Sequence, residues 1–360
     1  MKQVLAATFA SVLLASLPSA VLAADATPAF QAAPIRCVPG QKVEQEGYLR
    51  IGGIDQWVSV KGENCANPVI LYVHGGPGNP ITPFADALYG SWRKDFTIVN
   101  WDQRGAGQTY ARNPVDPETP QGALTMEQLT ADGTELAAAM VKHLGKKQLI
   151  LMGGSWGSIL AVNMAHAKPA LFGAYLGTGQ YVSFAENEGG SLRKTLAMAK
   201  AANDSATVAA LEALGAPPFV NPRAPGIVRK GTRIYEGKTT TPAPTSWWER
   251  TPAYATAQVL DNYEKGEEFS WLQFVGYKGN GMASKVDLRK LGMEFKMPVY
   301  MVMGAQDLVT VPEVAKPYFD AIRAPKKEYF LLPLVGHDPN QPMLDAQLTI
   351  LRTRIAPLMK

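Results

Sequence analysis

Four short apolar runs constrain this chain more than any other feature of it. Residues 68–73, 96–101, 148–152 and 174–176 are continuously nonpolar or nearly so, without the polar alternation of a half-exposed strand. Such runs read as strands buried on both faces, which is the situation inside a parallel sheet. Helical stretches separate them. The clearest starts at Thr125, with Gln128 three residues on as in a capping box, buries Leu129, Leu136 and Met140, and stops at Gly145. Strand, helix and strand in repetition predict a mostly parallel sheet flanked by helices on both faces. Ahead of it, residues 41–51 and 54–61 are strand-like and joined by Gly52-Gly53, which predicts a hairpin.

The pattern breaks after Gly179. Residues 181–290 hold a helical stretch at 191–214, then a connection carrying Pro217, Pro218, Pro222, Pro225, Pro242, Pro244 and Pro252. An aromatic segment follows, with Trp247, Trp248, Tyr254, Tyr263, Phe269, Trp271, Phe274 and Tyr277. No strand is expected there. The pattern resumes with a strand at 298–303, a helix at 312–322, a strand at 329–332 and a final helix at 343–358. The expectation is one discontinuous core, residues 24–180 and 291–360, with residues 181–290 inserted after the sixth strand as a helical cap or lid. Its aromatics either line an apolar pocket or form the cap's own core.

Residues 1–23 read as a secretory signal peptide. Lys2 is followed by an apolar run over 4–17, then Pro18 and the small-residue ending Val21-Leu22-Ala23. The run is shorter than the ~20 residues that a membrane helix needs. The mature chain is therefore expected in the periplasm or the medium, without a stable membrane anchor. Disulfides persist in those compartments, and the chain has two cysteines, Cys37 and Cys65, flanking the hairpin. We expect them to pair. The net charge of +4 is spread thinly, with no basic cluster longer than Lys146-Lys147 or Lys326-Lys327, which argues against nucleic acid as a partner.

Chemistry enters at Gly153-Gly154-Ser155-Trp156-Gly157, a G-x-S-x-G between the strand ending at Met152 and a helix over 159–168. At such a junction the serine occupies a strained turn, and glycines on either side let strand and helix approach while Oγ points away from the sheet. A serine nucleophile needs a base. In folds with this turn the chain order is nucleophile, acid, base, so the base must follow Ser155. His166 falls within the next helix, whereas His337 lies in the loop Val335-Gly336-His337-Asp338 after a strand, at the carboxyl edge of the sheet. His337 is the expected base. Asp307, directly after the strand at 298–303, is the best-placed acid; Asp320, Asp287, Asp261 and Asp338 are in a helix, in the insertion or too near His337 in sequence. Backbone N–H groups of His74-Gly75-Gly76-Pro77-Gly78, with that of Trp156, are expected to form an oxyanion hole. His74 itself reads as structural.

Three blocks, His74 to Gly78, Asp102-Gln103-Arg104-Gly105-Ala106-Gly107, and Gly153 to Ser158, resemble in order and spacing the signature blocks of the proline iminopeptidases, which are α/β-hydrolases with a helical cap. The resemblance implies Ser155, Asp307 and His337 as triad, with Gly76 and Trp156 as the preferred oxyanion donors beside Gly75. It also implies release of an N-terminal residue, often proline, with cap carboxylates gripping the free amine. The family's amine-binding glutamate precedes Asn and then Tyr; Leu260-Asp261-Asn262-Tyr263 is the nearest stretch here, with aspartate in its place. Asp261, Glu186 and Glu188 are the amine candidates, with Glu267 and Glu268 as further alternatives.

No H-E-x-x-H, C-x-x-C or clustered histidine calls for a metal, and no glycine spacing fits a nucleotide, so no cofactor is expected. The sequence reading is an exported serine hydrolase acting on a small peptide or small acyl substrate. An aminopeptidase leads. A carboxylesterase, lactonase or amidase is the alternative within enzymes, and a non-catalytic ligand-binding homologue is the alternative outside them.

Overall fold

The computed structural model describes residues 30–359, so the expected signal peptide lies outside the described residues. Eight strands form one sheet: β1 (Val43–Ile51), β2 (Ile54–Gly62), β3 (Val69–Val73), β4 (Thr97–Trp101), β5 (Leu149–Gly154), β6 (Phe172–Thr178), β7 (Val299–Gly304) and β8 (Lys327–Leu332). Their spatial order is β1-β2-β4-β3-β5-β6-β7-β8. The predicted hairpin forms at one edge, with Ile51 opposite Ile54, and β2 runs antiparallel to β4. From β4 to β8 every pairing is parallel.

Ten α-helices accompany the strands among the described residues. They are α1 (Ala85–Tyr89), α2 (Gly107–Arg112), α3 (Met126–His143), α4 (Trp156–Ala167), α5 (Phe184–Ala201), α6 (Ser205–Glu212), α7 (Ala224–Thr239), α8 (Ala257–Val275), α9 (Pro312–Ala321) and α10 (Gln341–Ile350). The apolar runs are continuous because both sheet faces are covered. Leu71, Leu151 and Met301 point to one face, against Leu136 and Met140 of α3, Ile159 of α4 and Phe319 of α9. Their neighbours Ile70, Ile150 and Tyr300 point to the other, against Leu88 of α1 and Leu344 and Ile350 of α10. The period of two is present in geometry although it is absent from hydropathy.

The helical insertion after the sixth strand is present, as α5 to α8, but its details differ from expectation. The stretch predicted at 191–214 is two helices. The first begins earlier, at a Ser183 cap that accepts the Glu186 N–H, and the second is capped by Asp204, which accepts from Thr207, after Asn203 turns the chain at φ +53°. Within the proline-rich connection lies α7, sixteen residues long. Pro225 sits in its first turn, where a missing N–H costs nothing, and no further proline follows until Pro242. The final helix, α10, continues beyond Ile350 as a wider π-helical turn (Leu351–Ile355) and a short 3-10 turn (Ala356–Leu358), so helical structure reaches the expected end at 358.

Cys37 and Cys65 are paired, with Cα atoms 5.6 Å apart across 28 residues of sequence. No helix among the described residues is long and apolar enough to cross a membrane.

Candidate active site

Ser155 sits between β5 and α4 with φ +54° and ψ −126°, a conformation that L-residues rarely hold. Close packing around it dictates the flanking glycines. A Cβ on Gly153 would lie 2.8 Å from the Ala161 Cβ, and one on Gly157 would lie 2.6 Å from the His74 carbonyl oxygen. Strand β3, strand β5 and the first turn of α4 meet there with room for hydrogens only. Gly154, by contrast, has space for a side chain, its nearest neighbour being the Tyr72 hydroxyl at 3.7 Å.

The structure brings Ser155, His337 and Asp307 into one chain of hydrogen bonds. His337 Nε2 is 2.9 Å from Ser155 Oγ, and its Nδ1 lies 3.1 and 3.2 Å from the two Asp307 oxygens. Each residue comes from a loop at the carboxyl end of a strand, β5, β7 or β8. Asp307 is fully buried and accepts the N–H groups of Val309 and Thr310, at 2.8 and 2.7 Å, and the Thr310 hydroxyl at 2.5 Å. Burial alone would raise its pKa, but the charge of His337 and these hydrogen bonds hold it below the ordinary carboxylate value. Burial likewise works against a charged His337, yet the Asp307 carboxylate and its hydrogen bond win, and the imidazole pKa rises above 6.5. Such an arrangement can withdraw the Ser155 proton and hold it on imidazole.

The other histidines lie elsewhere. His74 is buried, its Nδ1–H donating to the Gly75 carbonyl at 2.8 Å while Nε2 accepts the Gln103 N–H at 3.2 Å, and burial lowers its pKa to about 4. His143 bridges Ala33 O and Gln45 Oε1, and His166 packs on Phe295.

A cavity of about 1600 Å³ opens above Ser155 and His337, lined also by Gly75, Gly76 and Trp156. Trp156 is the first residue of α4, so its N–H has no intrahelical acceptor. Gln103 braces this wall: its amide oxygen accepts the Trp156 indole N–H at 3.1 Å and its amide nitrogen donates to His74 O at 3.0 Å. Sequence reasoning gave the Asp102 to Gly107 block no part beyond resemblance. Asp102 accepts the Thr82 hydroxyl at 2.5 Å and the Gln108 N–H at 2.9 Å, which fixes the start of α2.

Of the three amine candidates, only Glu188 faces the cavity. It is 6% exposed, neither oxygen has a hydrogen-bond partner, and burial lifts its pKa to about 7, the Phe219 N–H approaching without reaching hydrogen-bond geometry. Glu186 is outside, bound to Arg289. Asp261 is outside as well, paired with Lys265 at 2.8 Å on an exposed face of α8. The next turns of that helix do line the cavity, through Glu264, Glu267, Glu268 and Trp271. The aromatics of the insertion serve both expected purposes, since Phe274 lines the cavity and also packs edge-on within the insertion against Phe184 and Trp271, at 5.4 and 6.1 Å.

Residues 68–340 match the family described as having the alpha/beta hydrolase fold. The chain is 26% identical over 297 residues to a probable aminopeptidase of Bacillus subtilis strain 168, covering 81% of this chain and 90% of that protein. It is 35% identical over 126 residues to a putative proline iminopeptidase of Mycoplasma pneumoniae, a match spanning 35% of this chain and only 37% of that protein. In fold it resembles the crystal structure of a proline iminopeptidase-related protein from Thermus thermophilus, with a TM-score of 0.55 at 18% identity over 88% of this chain and 99% of that one. With the family match over residues 68–340 and an eight-stranded sheet that places Ser155 at the end of β5, the chain belongs to the α/β-hydrolase fold family, with aminopeptidase and proline iminopeptidase homologues.

Proposed function

We propose that this protein is an exported serine aminopeptidase of the proline iminopeptidase type. The observation that carries the reading is the hydrogen-bonded series Ser155–His337–Asp307 on a strained turn, below a cavity that holds an unpartnered buried carboxylate. Ser155 Oγ attacks the carbonyl carbon of the first peptide bond as His337 Nε2 takes its proton, and Asp307 holds Nδ1–H. The oxyanion is received by the N–H groups of Gly76 and Trp156 beside Gly75, at the positive end of α4, each such donor being worth about 3 kcal/mol. His337 passes the proton to the leaving amine. Water, deprotonated by the same imidazole, then releases the acyl group and restores Ser155.

Glu188 receives the substrate's amine. An α-amino group has a pKa of about 7.7–8.0, so ammonium and carboxylate would each favour the other's charged form on pairing. The cavity exceeds the roughly 300–1,000 Å³ of common small-molecule sites, which suits a peptide rather than a single amino-acid amide. Residues 181–290 act as lid over a core of 24–180 and 291–360. Export to the periplasm or the medium is supported by the signal-like residues 1–23 and by the Cys37–Cys65 pair.

A fluorophosphonate should label Ser155 in the folded protein, and prolyl, alanyl and leucyl arylamides compared with p-nitrophenyl esters should show arylamide cleavage. Ester cleavage alone overturns the aminopeptidase assignment, and absence of labelling overturns the serine hydrolase one.

A further inference from the structure

We propose that Glu236, acting with Arg229, is a positioning residue that ties the two loops carrying Asp307 and His337 to helix α7 of the insertion. The inference rests on Ser155, His337 and Asp307 being the catalytic residues. Those loops follow the adjacent paired strands β7 and β8 and are joined to each other at Gln306 and Val335, whose hydrogen bonds of 3.0 and 3.2 Å stop short of Asp307 and His337 themselves. A second link is made by two side chains of α7 together, the buried Glu236 and the partly exposed Arg229. Glu236 is 5% exposed, and its Oε1 accepts the backbone N–H of Leu308 at 2.7 Å, the residue immediately after Asp307. Its Oε2 meets Arg229 Nη1 at 3.5 Å, and the other Arg229 nitrogen, Nη2, donates to Asp338, the residue immediately after His337. The bridge therefore runs from one neighbour of the acid to one neighbour of the base.

Three further observations point the same way. Gly336, just before His337, has no room for a side chain without pressing on Glu236, since a Cβ there would lie 3.1 Å from the carboxylate. The end of α7 is stitched to both sides of the His337 loop: Thr241 N–H donates to Leu334 O at 2.9 Å, and Asn340 Nδ2 donates to Thr241 O at 2.9 Å and Leu334 O at 3.0 Å. The carboxylate is also held at a cost. Burial and the nearby Asp307 charge push the Glu236 pKa up, opposed by His337, the Leu308 N–H and Arg229. An ion pair serving stability alone gains nothing from burial beside a second carboxylate. A device that sets the spacing of Asp307 and His337 has to be there.

The test compares Glu236→Leu, Glu236→Gln and Arg229→Met with the wild type. The readouts are melting temperature, the rate of Ser155 labelling by a fluorophosphonate, and kcat and KM on the arylamide or ester that the wild type cleaves. Misplacement of a catalytic group by about 1 Å costs on the order of 100-fold. Glu236→Leu should therefore lower kcat and labelling by 10- to 100-fold with KM within about threefold. Glu236→Gln, which keeps an acceptor for Leu308, should recover to within about fivefold of wild type. Arg229→Met, a change at a partly exposed residue that keeps the fold if Glu236→Leu does not, should fall between them.

Variants that lose melting temperature while the folded fraction labels at the wild-type rate overturn the proposal, because the bridge is then structural. A raised KM at unchanged kcat in Glu236→Gln also overturns it, because Glu236 then contacts substrate. A wild type that fluorophosphonate leaves unlabelled sinks the catalytic reading itself, whatever the variants do.

Discussion

Replacing Gly157 by alanine tests the account of the turn around Ser155. The added Cβ would sit 2.6 Å from the His74 carbonyl oxygen and closer still to that of Val73, both backbone atoms of the β3 end. An ordinary contact is a half ångström or more longer, so α4 must withdraw from β3. Overpacking of this kind costs about 1–3 kcal/mol, and the clash with backbone rather than a flexible side chain places Gly157→Ala near the top of that range. For a chain of this size about 3 kcal/mol lowers Tm by roughly 5 °C. The withdrawal also moves Trp156 and Ser155, which begin the helix, away from Gly75 and His337, and a shift of about 1 Å there lowers reaction at Ser155 about 100-fold. The control is Gly154→Ala, where the nearest neighbour is 3.7 Å away and the backbone φ is ordinary. It should melt within about 1 °C of wild type. Thermal unfolding followed by circular dichroism, with fluorophosphonate labelling at 25 °C, reads both effects. The reasoning fails if Gly157→Ala melts and labels like wild type, or if Gly154→Ala is hurt as badly.

Four other outcomes follow from the site. In the proposed mechanism the neutral imidazole of His337 is the active form, and Asp307 raises its pKa above 6.5, so kcat/KM should fall as pH drops through a value above 6.5; an acidic limb well below 6.5 contradicts this. Asp307→Asn should lower kcat by about 10⁴-fold, as expected when the imidazole loses the group that fixes its tautomer. Glu188→Gln should raise KM for aminoacyl arylamides roughly 10- to 100-fold through the loss of a charge-assisted hydrogen bond, and leave p-nitrophenyl ester hydrolysis unchanged. Joint Cys37→Ser and Cys65→Ser substitution opens a loop of 28 residues and should lower stability in urea by about 3.5 kcal/mol while Ser155 labels at its usual rate at 25 °C.

The meeting of Ser155, Asp307 and His337 was legible in sequence because each lies in a turn or loop that follows a strand, and parallel strands deliver their carboxyl ends to a single edge. Helix α7 was not. A run of prolines looks like a linker, and a proline in the first turn of a helix counts toward that impression although it is compatible with the helix. Glu236 and Arg229 were hidden with it. The place of Asp261 beside Asn262 and Tyr263 says nothing about the face of α8 on which it lies. Glu264, Glu267, Glu268 and Trp271 recur at the spacing of one helix face, and all four line the cavity. That periodicity was available in the sequence. Glu188 could not be separated from Glu186 by any local pattern, since the difference between them is Arg289, about a hundred residues away.

The two histidines nearest the site show how one side-chain type is divided between chemistry and scaffold. His337 has a buried carboxylate beside Nδ1, which draws its pKa up into the range where a proton can come and go near neutrality. His74 has no carboxylate. Its Nδ1–H is committed to the Gly75 carbonyl and its Nε2 must accept the Gln103 N–H, so a second proton would set donor against donor. Burial prevents that by holding the pKa near 4. Through Gln103 the same fixed tautomer reaches the indole of Trp156, so the two backbone segments proposed to receive the oxyanion are joined by groups that do not titrate while His337 does. A pH change near neutrality therefore alters the charge of His337 and leaves the His74–Gln103–Trp156 hydrogen bonds themselves without a titrating member.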